Sequence, residues 1–105
     1  MTTESYAPMN FLIKNGTHMM HGRGMYFDKI TKELFEGWFK DDELIEGRCI
    51  QEDTYYEGSF KTLENYKFIK NGKGTEYLSD GTRYDGSWSN DEKHGPGIKY
   101  FANEL

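Results

Sequence analysis

Residues 84–97 read YDGSWSNDEKHGPG. Tyr84, Gly86 and Trp88 alternate with small polar residues, a polar run follows, and Gly95 and Gly97 then stand one residue apart. Glycine weakens a strand and aromatics strengthen one, so their regular interleaving needs a structural cause. Side chains of a strand alternate between faces with period two. That places Tyr84, Gly86 and Trp88 on one face and Asp85, Ser87 and Ser89 on the other. The run NDEKH reverses the chain, and Gly95, Gly97, Lys99 and Phe101 share a face on the return. The stretch therefore reads as a β-hairpin.

Outward from it, the pattern recurs. Aromatic-x-Gly-x-aromatic stands at Phe35-Gly37-Phe39, Tyr56-Gly58-Phe60 and Tyr84-Gly86-Trp88. Gly-x-Gly stands at Gly22/Gly24, Gly72/Gly74 and Gly95/Gly97, with Gly47/Cys49 as a variant. The first glycines of this second marker lie 25, 25 and 23 residues apart, and the two markers alternate. A fixed period with interleaved markers signals a repeat architecture. Each glycine is expected to leave a slot on the pleated surface that an aromatic ring from a neighbouring strand covers. The segment KTLENYKFIKN, residues 61–71, is expected to form a longer hairpin loop, and the first unit, near Phe11, is degenerate.

Composition agrees. The chain has 105 residues, 35% of them apolar and 16% aromatic, with 12 glycines and 2 prolines. This length allows one domain, with a core built from Tyr, Phe and Trp. A net charge of −5 argues against nucleic acid, which calls for a basic face. The single cysteine, Cys49, forms no internal disulfide and fits a reducing compartment. MTTESYAPMNFLIK lacks the basic start and apolar run of a signal peptide.

These residues resemble the MORN repeat (membrane occupation and recognition nexus), whose pattern is Tyr-x-Gly-x-Trp, a polar turn and Gly-x-Gly. YDGSWSNDEKHGPG matches it closely, as does NGKGTEYLSDGTRYDG at 71–86. The resemblance covers residues 20–102 and, more faintly, 11–20. It implies an all-β fold, an elongated, twisted antiparallel meander of about four hairpins. Residues 1–10 would be an N-terminal extension. Units of about 11–33, 34–55, 56–83 and 84–105 would follow in a single domain. The family serves mainly in assembly, as scaffolds and as cytoskeletal or ciliary components, and some members stand beside catalytic domains. Lipid binding has been proposed for it. The implied setting is cytoplasmic, at the cytoskeleton or cilium.

No catalytic, cofactor or metal site is expected. NGKGT at 71–75 lacks the upstream glycine of a phosphate loop. A metal at His18 and His21 would need further ligands, so HMMH is read as a polar turn before a strand. Cys49 is read as a small buried filler in a glycine slot. Asp41, Asp42, Glu43 and Glu46 lack the alternation and central glycine of a calcium loop.

Two surfaces are expected to take partners. The C-terminal edge looks uncapped, so a protein partner or a second copy is expected to cover it by strand addition. Trp38, Tyr55, Tyr77 and Tyr100 fall off the motif face and, with Phe101, are the candidate partner-binding residues. Lys67, Lys70 and Lys73, around the long loop, are candidate lipid contacts. The function expected is non-enzymatic protein–protein interaction. The alternatives are a membrane-associated phosphoinositide-binding adaptor and a regulatory subunit of an enzyme supplied in trans.

Overall fold

The computed structural model describes residues 6–8, 13, 14, 17, 18 and 20–102. Its strands are β1 (Tyr6–Pro8), β2 (Ile13–Lys14), β3 (Thr17–His18), β4 (Gly22–Asp28), β5 (Glu33–Lys40), β6 (Glu43–Ile50), β7 (Thr54–Leu63), β8 (Lys67–Leu78), β9 (Arg83–Ser89) and β10 (Glu92–Tyr100). Strands β4 to β10 form an open antiparallel meander in sequence order, and β1 joins it alongside β4. β2 and β3 make a separate two-stranded ladder. The fold is all-β and elongated, measuring 56 × 25 × 23 Å.

One row of glycines organises the sheet. Gly24 pairs with Gly37, Gly37 with Gly47, and Gly47 with Gly58. The row continues through Gly74, Gly86 and Gly97. Each of the seven strands β4–β10 contributes one member, and Pro8 of β1 pairs with Gly24 at the end of the row. The cause is close approach. A Cβ on Gly37 would lie 2.6 Å from the Gly47 Cα, and one on Gly47 would lie 2.7 Å from the Gly37 Cα. At Gly74 and Gly97 a Cβ would enter the rings of Tyr56 and Tyr84. The ring-seat expectation thus holds at Gly74 and Gly97, whereas at Gly37 and Gly47 the neighbour is backbone.

The first glycine of Gly-x-Gly has a different task. Between β9 and β10 the register slips from Gly86–Gly97 to Trp88–Lys93, so Ser87 faces three residues. Between β7 and β8 it slips from Gly58–Gly74 to Phe60–Lys70, and Ser59 stands in the same position. Gly72 and Gly95 lie in these bulges with φ of +100° and +79°, a region that L side chains avoid. The motif tyrosine completes the bulge. Tyr84 donates its hydroxyl to the Ser87 carbonyl at 3.2 Å, and Tyr56 donates to that of Ser59 at 2.8 Å. In the unit that carries Phe35, with no hydroxyl, the bulge against β6 holds one extra residue, Ile45.

This register corrects the reading of Gly47/Cys49. Gly47 holds the position of Gly24, Gly74 and Gly97, so Ile45 stands where Gly72 and Gly95 stand. Cys49 occupies no glycine slot. It pairs with Phe35 and Tyr56, in the row that Tyr26 also joins.

The core lies on the motif face and is largely aromatic: Tyr26, Phe35, Phe39, Tyr56, Phe60, Phe68 and Trp88, with Met20, Leu44 and Cys49. Residues 61–71 are not a loop. β7 and β8 continue through them, pairing Lys61 with Ile69 and Leu63 with Lys67. Four strand spacings, about 19 Å, would separate β8 from β4 in a flat sheet. Yet the Phe68 ring lies 5.1 Å from those of both Tyr26 and Phe35, centroid to centroid. The end of this hairpin therefore bends over the motif face and roofs β4 and β5.

Three hairpin turns use left-handed residue pairs without glycine: Asp41–Asp42, Asn65–Tyr66 and Asn90–Asp91. Asp and Asn tolerate that region best among the larger residues. The second aspartate also fastens its hairpin to the preceding one. The Asp91 carboxylate accepts the Lys70 N–H at 2.7 Å, while the Asp91 N–H donates to the Lys70 carbonyl at 3.0 Å. Asp42 and Met20 make the same exchange, at 2.7 and 2.9 Å. In the long hairpin the Thr62 hydroxyl serves instead, accepting the Leu44 N–H at 2.9 Å.

Three further expectations change. Residues 6–8, assigned to an extension, join the sheet, and the first unit's outgoing strand is β1 rather than a segment from Phe11, which lies outside the described residues. HMMH is not a polar turn: His18 lies in β3 and Met20 is fully buried. Of NDEKH, Asn90 and Asp91 make the turn, and β10 begins at Glu92.

Candidate interaction surface

The glycine row sorts every strand. Residues two places from a ladder glycine point to the motif face, and those one or three places away point to the outer face. The first motif row reads Tyr26, Phe35, Cys49, Tyr56, Glu76, Tyr84 and Lys99. This face is occupied by its own residues. The hairpin end covers its β4–β5 part. Towards β9, Glu76 bonds Lys70 and Lys93 at 3.4 Å each. Both ammonium groups lie over aromatic rings, Lys70 at 5.0 Å from Trp88 and Lys93 at 5.3 Å from Tyr84.

Cys49 is buried there, its Sγ 3.7 Å from Glu33 Oε2. Burial, and then the Glu33 charge, push its thiol up to about 12. A thiol held neutral is a poor nucleophile and a poor metal ligand. Among the described residues no group of three His, Cys, Asp or Glu is placed to hold a metal ion.

The outer face is different. Its row three places from the glycines reads Phe27, Leu34, Ile50, Tyr55, Tyr77, Arg83 and Tyr100, each paired with the next. Phe27, Ile50, Tyr77 and Tyr100 are each between 37 and 41% exposed. The members touch: the Tyr55 and Tyr77 ring centroids are 5.5 Å apart, and the Arg83 guanidinium lies 4.1 Å over Tyr100. Arg48 holds the row from the side, donating to the Tyr55 hydroxyl at 3.2 Å and to Glu36 at 2.7 Å. These two contacts, that with Tyr55 foremost, raise its pKa further.

The structure thus brings Tyr55, Tyr77 and Tyr100 into one row and leaves Trp38 out of it. Trp38 also faces outward, 53% exposed, but lies across the ladder, about 13 Å along β5 from Leu34. Phe101 follows the end of β10, 76% exposed, with the Lys99 ammonium 5.2 Å from its ring. The three candidate lipid contacts are not brought together either. Lys67 and Lys73 are exposed, while Lys70 is turned inward between Tyr56, Trp88 and Glu76. Phe27, Leu34, Ile50 and Arg83 were missed by the sequence reading, although all stand three residues from a ladder glycine.

The MORN repeat family model matches residues 69–83 and 84–104. No curated protein matches the chain. MORN repeats are modules of protein or lipid interaction, not of catalysis. The match falls on the strands that carry Gly72, Gly74, Tyr84, Gly86, Trp88, Gly95 and Gly97, the regular part of the ladder, and residues 69–104 carry two MORN repeats.

Proposed function

We propose that the chain is a non-enzymatic interaction module that holds protein partners within a larger cytoplasmic assembly, cytoskeletal or ciliary in kind. The observation that carries this reading is the outer row. Seven residues from seven strands form a line roughly 29 Å long. Tyrosines dominate its centre, and they are enriched at binding hot spots. Tyr55 is held by Arg48 and Tyr77, and Tyr100 by Arg83, which reduces the side-chain freedom these members lose on binding. A second copy adding to β10 belongs to the same reading. Pro96, in its bulge and without an N–H, interrupts that edge, leaving Gly97–Tyr100 as its regular part.

The test is affinity purification from the native cell with wild type and a Tyr55→Ala/Tyr77→Ala variant. Partners should be lost from the variant while its far-UV circular dichroism stays unchanged. Partners retained equally by both would reject the row. Gel filtration tests the second copy. The cytoskeletal or ciliary setting rests on the family resemblance, and proximity labelling in cells tests it.

The second reading is a phosphoinositide-binding adaptor, favoured by exposed Lys67 and Lys73. Each lysine near an anionic surface contributes about 1 kcal/mol, and two such contributions fall short of firm anchoring. Pelleting with phosphoinositide vesicles would support it. Regulation of an enzyme in trans is the same interaction with a catalytic partner, and co-purified activity would identify it.

A further inference from the structure

Straddling the glycine row between β5 and β7, the outer face carries a cleft of about 320 Å³. Trp38 forms one wall. Glu46, its cross-strand partner on β6, and Glu57 on β7 form the others, over the backbone of Gly47 and Gly58. Both carboxylates are exposed, and neither has an ion pair or hydrogen bond among the described residues. Their neighbour Glu36, by contrast, is satisfied by Arg48 at 2.7 Å. Trp38 already takes one guanidinium: Arg23 reaches it from β4 and lies 5.1 Å from its ring centroid. The cleft adjoins the same ring from the β6 side.

The opposite face contains a finished version of this set. There Lys70 lies 5.0 Å from the Trp88 centroid, 5.5 Å from that of Tyr56 and 3.4 Å from Glu76. Aromatic wall, carboxylate and cation are all present. In the outer cleft the wall and two carboxylates are supplied. Arg48, which faces Glu57 across the ladder, is committed to Glu36 and Tyr55, and among the described residues no cation lines the cleft itself.

We propose that this cleft receives an arginine side chain from an extended segment of a partner protein, its guanidinium stacked on Trp38 and hydrogen-bonded by Glu46 and Glu57. A guanidinium suits the site because it is planar, weakly hydrated and forked toward carboxylates. A second copy of the chain is not the donor. Its three arginines, Arg23, Arg48 and Arg83, are all engaged on their own rings or carboxylates. An anionic headgroup would be repelled by the two carboxylates. The proposal rests on the interaction role argued above and names the chemistry one part of that face reads.

The test uses the full chain and two synthetic peptides of identical sequence, one carrying arginine and the other citrulline, which keeps the shape and loses the charge. Amide and indole NMR shifts report binding. The arginine peptide should shift the Trp38 indole and the Gly47 and Gly58 amides, and the citrulline peptide should not. Affinity should fall about tenfold or more in Trp38→Ala and in Glu46→Gln/Glu57→Gln. A control, Glu52→Gln/Asp53→Asn, removes the same charge elsewhere and should change affinity less than about twofold. Equal losses in the two charge-removed variants would mean diffuse attraction and overturn the proposal. So would wild-type affinity in a folded Trp38→Ala variant, or arginine and citrulline peptides that bind alike. A chain that loses its partner through Tyr55→Ala/Tyr77→Ala yet ignores the arginine peptide refutes the cleft and keeps the interaction role. The reverse refutes the row and keeps the cleft.

Discussion

Replacing Gly37 by alanine sets two tendencies against each other. Alanine restricts the unfolded chain, and in a position it can adopt it stabilises by about 0.4–1 kcal/mol. Gly37 is not left-handed, so its backbone raises no objection. Space does. The new Cβ would sit 2.6 Å from the Gly47 Cα and nearer still to the Glu46 carbonyl oxygen. Carbon atoms prefer about 3.5–4.0 Å, so the site is short by roughly 1 Å. Both obstacles are backbone, and no flexible side chain can swing away. β5 and β6 must part where each is also bonded to a further strand. Overpacking of this kind costs about 1–3 kcal/mol, and stretching a flanking ladder bond adds about 1 kcal/mol. A net loss of about 2–3 kcal/mol remains after the entropic gain is subtracted.

For a domain of this size that is a fall in Tm on the order of 10 °C. Thermal and urea unfolding, followed by circular dichroism and tryptophan fluorescence, would measure it. Gly22 provides the contrast. Its φ is +84° and nothing lies within 4 Å of an added Cβ. Asparagine tolerates that conformation, so Gly22→Asn should be mild and Gly37→Asn severe. A Gly37→Ala protein that melts at or above wild type would refute close approach as the reason for the ladder. Equal tolerance of asparagine at both positions would do the same.

Other consequences follow from the bulges, the staples, the roof and the buried thiol. Tyr84→Phe removes the donor to the Ser87 carbonyl and should cost about 1 kcal/mol, read from the urea midpoint. Asp91→Ala removes the acceptor for the Lys70 N–H and should cost about 1–2 kcal/mol, whereas Asp91→Asn should recover part of it. Phe68→Ala empties the roof and should cost about 3–5 kcal/mol, with hydrogen exchange rising first in β4 and β5. For Cys49 the folded pKa, about 12, lies above the reference 9.0. The thiol's contribution is therefore complete below about pH 8.5 and is lost as pH rises toward 12. Urea midpoints between neutral and alkaline pH should fall more steeply for wild type than for Cys49→Ala, and parallel curves would show the thiol to be indifferent.

Much of the ladder was legible because its cause is local. Gly-x-Gly and aromatic-x-Gly-x-aromatic are each set by one strand and its neighbour, so spacing alone finds Gly72, Gly74, Gly86, Gly95 and Gly97. Gly47 was misplaced by two residues because the β6 bulge is shorter, holding one extra residue where the bulges of β8 and β10 each hold two. The fate of residues 61–71 depends on contacts between Phe68 and rings more than thirty residues away, which no window of sequence contains. The outer row was half visible. Tyr55, Tyr77 and Tyr100 announce themselves as aromatics, whereas Phe27, Leu34, Ile50 and Arg83 have nothing in common except their distance from a ladder glycine.

That distance has a functional consequence. The positions that hold the sheet together are the ladder itself and its second neighbours, all on the motif face. The first and third neighbours carry the outer row and Trp38, and they contribute little to the core. The glycines therefore divide the chain into residues that fix the fold and residues that a partner can read. Trp38 illustrates the division. Its ring is half in solvent, and its contact with Arg23 is worth about 0.5–1 kcal/mol at an exposed site. Trp88 is buried among Tyr56 and Tyr84 and bonds the Gly74 carbonyl through its indole, so its loss would cost about 3–5 kcal/mol. The two tryptophans, one residue and two residues from their glycines, stand on opposite faces for that reason. A thin repeat sheet can change what its outer face binds because the inner face alone sustains its fold.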